Sequence, residues 1–131
     1  MKSTPSFIRK KYFIPLMFLA AACGADGLSG IFIPNIGNDW TSDRRQSLFV
    51  ITPADTGVNE ASFTGSETDF VCDTCNGNFR GSFKNYDVNF TFLSGPDNGV
   101  KYSGRFIKDS KPLQMKVTGT NGVTLTITKN N

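Results

Sequence analysis

The 131-residue chain contains no histidine. That absence removes Ser-His-Asp triads, histidine metal sites and histidine proton shuttles. Tryptophan occurs once, at Trp40, and cysteine three times, at Cys23, Cys72 and Cys75. Thiolates alone are therefore too few for a four-ligand zinc site, and carboxylates would have to complete one. No Gly-x-Ser-x-Gly elbow is present to carry a nucleophilic serine. No apolar run reaches the roughly 20 residues that a membrane-crossing helix requires. Acids are missing from the start of the chain, the first of the 11 being Asp26. Together these gaps predict a protein that is not an enzyme and that needs neither cofactor nor metal.

What is present begins with a charge asymmetry. The 14 Lys and Arg exceed the 11 acids by +3, but four cations, Lys2, Arg9, Lys10 and Lys11, stand ahead of an eleven-residue apolar stretch from Tyr12 to Ala22. Basic, apolar and then small residues is the order of a secretory signal. The stretch runs into Leu19-Ala20-Ala21-Ala22-Cys23-Gly24, which resembles the lipobox of bacterial lipoproteins. The resemblance implies cleavage before Cys23, fatty acylation of that cysteine and a chain held on the membrane through its N-terminal lipid. Gly24, in place of the Asp that favours inner-membrane retention, implies the outer membrane, facing the periplasm or the surface. The competing outcome is ordinary cleavage after Ala22, with Ala20 and Ala22 as the small pair, which would release a soluble protein. Without residues 1–22 the balance is 10 cations against 11 acids, a net of −1, so charge offers no argument for nucleic acid.

In an exported chain Cys72 and Cys75 form an even pair where disulfides persist. Within Phe70-Val71-Cys72-Asp73-Thr74-Cys75-Asn76-Gly77 they straddle a turn, and Asn76-Gly77 predicts a hairpin. A thioredoxin-like site needs the first cysteine at a helix N-terminus, and haem attachment needs a histidine where Asn76 stands. A structural disulfide is the favoured reading, with redox or metal roles as the lesser ones.

Residues 23–38 read as a tether, small and flexible at first and then apolar at Ile31, Phe32, Ile33 and Ile36. Those four either dock onto the domain or meet the membrane surface, docking being the more ordinary outcome. Residues 39–131 read as one all-β domain. Runs rich in Val, Ile, Thr and aromatics predict strands near 47–52, 60–66, 69–73, 78–84, 87–93, 99–108, 113–119 and 122–129, separated by turn residues such as Asn121-Gly122. Val88, Phe90 and Phe92 alternate with polar residues, as do Leu113, Met115 and Val117, and Val123, Leu125 and Ile127. One face is core and the other wet, a pattern that with short loops means an antiparallel sheet. Gly65, Gly81, Gly104 and Gly119 each follow an inward apolar residue by two positions, hence on the same face. A strand glycine makes room for a sharp bend or a large neighbour, so these predict a coiled sheet closing as a small up-and-down β-barrel of about eight strands, with glycines facing aromatics. The alternative is a β-sandwich.

Trp40-Thr41-Ser42-Asp43, Phe63-Thr64-Gly65-Ser66 and Val88-Asn89-Phe90-Thr91-Phe92 resemble segments of the avidin group of calycins. The resemblance covers about a third of the chain from Cys23 to Asn131 and implies a barrel. It does not extend to biotin, because Ser42, Glu67 and Phe90 stand where that group's ligand residues belong.

Trp40 beside Arg44 and Arg45 could bind an anionic or sugar-like ligand; the plainer reading is a tryptophan that plugs the barrel with an arginine packed over it. Lys101, Arg105, Lys108, Lys111 and Lys116 read as a solvated face rather than a nucleic-acid groove. Glu67 with Asp69, or Asp69 with Asp73, could act as an acid and base only by converging across a cleft. The expected function is binding at the membrane surface, to an envelope protein or to a small ligand in the barrel mouth. An enzyme using carboxylates or the Cys72/Cys75 pair is the second class.

Overall fold

A computed structural model describes residues 31–131. The signal peptide read at 1–22, the acylation read at Cys23 and most of the tether read at 23–38 lie outside the described residues. Eight strands follow one another: β1 (Asn38–Ser42), β2 (Leu48–Pro53), β3 (Glu60–Thr68), β4 (Gly77–Lys84), β5 (Asp87–Phe92), β6 (Lys101–Phe106), β7 (Gln114–Gly119) and β8 (Thr124–Lys129). Each pairs antiparallel with the next, and β8 returns to β1 through Trp40↔Lys129 and Ser42↔Ile127, closing the barrel. The up-and-down barrel expected from the alternation is the fold, and the sandwich is excluded by that closure. No described helix is long and apolar enough to cross a membrane.

Two ends can be distinguished. At the base, odd-numbered strands begin and even-numbered strands end; at the rim, the reverse. Between them the inward positions are apolar, as period-two patterning requires. Phe49, Phe79, Phe90, Phe92 and Tyr102 are all buried, with ring centroids 4.9 Å apart for Phe79 and Phe90, and 5.4 Å for Phe90 and Tyr102. Such pairs contribute about 0.5–1.5 kcal/mol each beyond their burial.

The inward glycines make this aromatic filling possible. Gly81 lies between Phe63 and Phe90, Gly65 opposite Phe79, and Gly119 opposite Tyr102. A Cβ on Gly119 would stand 2.8 Å from Tyr102 Cε1, and one on Gly81 would stand 2.6 Å from Phe90 Cβ. Gly104 lies between Val88 and Val117 with no ring against it, and there a Cβ would strike the Lys116 carbonyl, as one on Gly81 would strike the Asn89 carbonyl. Its role is close approach of two backbones rather than space for a ring.

Two strand expectations need correction. Residues 69–73 are not a strand: the chain leaves β3 at Thr68 and crosses to β4 through a single 3-10 turn, Asp73–Cys75. The Cys72–Cys75 disulfide therefore lies inside the connection instead of pinning a hairpin. The eighth strand is β1, whose only buried large side chain is Trp40 and whose first two residues are exposed, too little alternation to be read in advance.

The base is closed by the chain that leads into β1. Phe32 stacks on Tyr86 with centroids 4.2 Å apart, and its amide donates to Asn85 Oδ1 at 3.3 Å. Trp40 Nε1 donates to the Ile36 carbonyl at 2.8 Å. Lys129 Nζ donates to the carbonyls of Asn35 and Gly37, at 2.6 and 2.7 Å, and lies 5.9 Å from the Trp40 ring centroid; burial pushes its ammonium below the ordinary lysine value. Phe32 and Ile36 thus dock while Ile33 stays exposed. The compact unit begins at Phe32, so residues 32–38, read from sequence as part of a tether over 23–38, belong to the domain.

Candidate functional site

The rim is built from two polar clusters and a loop they support. The β1–β2 connection turns through Arg45 and Gln46, both left-handed with φ of 54° and 55°. That backbone costs about 1–2 kcal/mol per non-glycine residue, and it directs the adjacent Arg44 and Arg45 side chains into separate partners.

Arg44 reaches across the barrel mouth. Its Nη2 and Nε donate to Glu67 at 2.6 and 3.3 Å, and Nη1 donates to Asp97 Oδ2 at 2.7 Å. Tyr102 donates its hydroxyl to the same Asp97 oxygen at 2.6 Å, and Ser47 donates to Glu67 Oε2 at 2.5 Å. Glu67 is 2% exposed, so its charge is tolerable only with this guanidinium and hydroxyl around it. Burial by itself would lower the arginine's pKa, but the hydrogen bonds to Glu67 and Asp97 raise it above the ordinary value. For Asp97, burial raises and the Tyr102 and Arg44 hydrogen bonds lower, with a net depression. Tyr102 is raised by burial and by its bond to Asp97. The cluster closes the mouth with a bidentate arginine, the strongest geometry available to such a pair.

Arg45 pairs with Asp69, and Asp69 organises the loop beyond β3. Its Oδ1 accepts the amides of Val71 at 3.0 Å and Cys72 at 2.9 Å, while its own amide donates to Asn76 Oδ1 at 2.7 Å. The Arg45 hydrogen bond, with those two amides, holds the Asp69 carboxyl below its usual range. The disulfide and the Cys75 amide bond to the Cys72 carbonyl, 3.0 Å, complete the brace. What the brace displays is Phe70 and Val71, 72% and 80% exposed.

A groove of about 580 Å³ runs over the outer wall of β2–β5, with Thr52, Thr64, Arg80 and Thr91 along one cross-strand row and Leu93 beside them. Its volume falls within the range of small-ligand sites. It is not in the mouth, where a ligand was expected.

Trp40, Arg44 and Arg45 are not brought together as one spot. Trp40 is fully buried at the base against Phe106 and under Lys129, so a lysine, not an arginine, covers it. Arg44 and Arg45 serve the rim. Glu67 and Asp69 each face a different arginine, and Asp73 stands exposed on the 3-10 turn. Where the avidin resemblance places ligand residues, Ser42 accepts the Arg44 amide at 3.0 Å, Glu67 is engaged as above, and Phe90 stacks on Tyr102. Among the described residues no cluster of three or more acidic or cysteine side chains is placed to hold a metal ion. Cys72 and Cys75 are both partly exposed. Sequence reading missed Phe70 and Val71 as a displayed pair; the signal available was two adjacent apolar residues between an aspartate and a Cys-x-x-Cys, a spacing that strand alternation does not accommodate.

No protein-family model, no curated protein and no solved structure matches this chain.

Proposed function

We propose that this is a noncatalytic lipoprotein of the cell envelope, anchored by acyl chains on Cys23, whose barrel binds a partner protein through the rim loop bearing Phe70 and Val71. The observation that carries this reading is the exposure of two large apolar side chains on a loop held by a disulfide and by a carboxylate with three bonds. Burying such side chains in a partner's pocket contributes roughly 1.5–3 kcal/mol apiece, and holding them fixed beforehand spares the ordering cost of association. Of the carboxylates considered for acid and base chemistry, Glu67 and Asp69 are engaged with separate arginines and Asp73 stands exposed on the 3-10 turn, which favours binding over catalysis.

A photo-crosslinking residue placed at Val71 in the living cell is expected to give a discrete adduct that a Phe70→Asp change abolishes. The same residue at Thr124, at the rim end of β8, is expected to give none. No adduct at Val71, or the same adduct from both positions, would overturn the rim as the contact.

The outer-wall groove supports a second reading, a small ligand with hydroxyl and anionic groups held by threonines and Arg80. Native mass spectrometry of the chain from its own envelope would show a retained mass, and an Arg80→Ala variant would lose it.

A further inference from the structure

The pinned segment Phe32–Ile36 determines more than how the base is closed. Because Phe32 is docked, only residues 24–31 separate Cys23 from the barrel, eight residues that reach about 29 Å when fully extended. They join the barrel at its base, so a lipid carried by Cys23 would be tethered to that end. The same end displays Ile33, 55% exposed, and Ile107 on the β6–β7 connection, 38% exposed. Lys108 and Lys111, also exposed, stand on the connection that carries Ile107, with Asp109 between them, while Asp55 on the β2–β3 connection lines the same hollow as Ile33. Arg105 and Asp87 neutralise one another at 3.1 Å. The surface is therefore apolar at two points and mixed in charge around them. Such a face fits the headgroup layer of a phospholipid bilayer, where isoleucines enter the acyl boundary and lysines reach the phosphates.

We infer that the barrel rests with its base on the phospholipid surface that holds its anchor, Ile33 and Ile107 dipping into the interface, so that the rim loop with Phe70 and Val71 points away from the bilayer. The seat rests on the lipid-anchor reading proposed above and adds an orientation to it. A tether alone would let the barrel tumble; two apolar contacts at one end make the rim the distal face.

The test uses the full acylated protein in vesicles of phosphatidylethanolamine and phosphatidylglycerol whose chains are brominated. Environment-sensitive fluorophores are attached singly through Ile33→Cys, Ile107→Cys and Val123→Cys, the last on the β7–β8 turn at the rim. The native cysteines do not compete, two being joined in the disulfide and one acylated. Labels at 33 and 107 are expected to lose about half their emission to bromine, as groups buried within about 10 Å of the acyl boundary do, and the label at 123 to lose none. Flotation of the protein with all three labels unquenched, or with quenching at 123, overturns the seat and leaves the anchor standing. Failure of the unlabelled protein to float with vesicles overturns the anchor and the seat together. An Ile33→Asp/Ile107→Asp variant, altered only at exposed positions, is expected to float and to render a label at 111 (Lys111→Cys) insensitive to bromine.

Discussion

At Gly81 the wall has no room for a side chain: the Asn89 carbonyl and the Phe90 Cβ already occupy the position a Cβ would take. Because the obstruction is backbone and not a rotatable side chain, Gly81→Ala is expected to cost about 1–3 kcal/mol, read as a lowered urea midpoint. An unchanged midpoint would mean that the strands separate freely there. Lys129 offers a second residue-level test. Lys129→Met would remove the donor from the exposed Asn35 and part-buried Gly37 carbonyls, a loss of about 0.5–1.5 kcal/mol per bond, and would loosen the segment over Trp40. Since Trp40 is the only tryptophan, its emission is expected to shift to the red, and an unshifted spectrum would show that the segment is held by other contacts. The inward roles of Val88, Phe90 and Phe92 were legible from alternation, which depends only on neighbours two residues away. Those of Arg44 were not, because its partners lie 23 and 53 residues distant, and nothing local marks a residue for a contact made by closure.

The rim loop is an element whose order comes from several sources, and they can be separated. The disulfide closes only a few residues, so chain entropy assigns it about 2 kcal/mol or less. A Cys72→Ser/Cys75→Ser double variant is expected to keep the barrel's amide protection while exchange at 70–75 quickens; loss of protection throughout the strands would show that the bridge supports more than its loop. The carboxylates act at a different pH. Asp69 and Asp97 have folded pKa values below the ordinary aspartate value of about 3.9. The stability they contribute is therefore complete above that value and drains as pH falls through their folded pKa values. Thermal unfolding followed from about pH 6 down to pH 2 is expected to show a decline below pH 4 that Asp97→Asn makes shallower; an equal slope in both proteins would place the acid-sensitive groups elsewhere. Reading residues 69–73 as a strand failed for a physical reason: Phe70 and Val71 have strand propensity, but the Asp69 carboxylate captures the amides of Val71 and Cys72 before a neighbouring strand can.

For the molecule as a whole, the anchor proposed at Cys23 would decide where the domain works. Cys23→Ala is expected to move the protein from the membrane fraction to the soluble fraction, and retention on membranes would refute acylation as the attachment. Barrel architecture was legible because glycines and aromatics recur at inward positions across several strands, a property of the set and not of any one segment. The pair of strands that makes the closure could not be read, since it joins Trp40 to Lys129, the two ends of the domain. That junction has a consequence for how the chain is made. Until β8 has emerged, β1 and β7 are both open sheet edges, each with unpaired amides and carbonyls that could template pairing with another chain. Only the final strand removes both at once. The residues of β8 are thus the ones that turn a sticky intermediate into an inert one, and afterwards no partner can bind by adding a strand to this sheet.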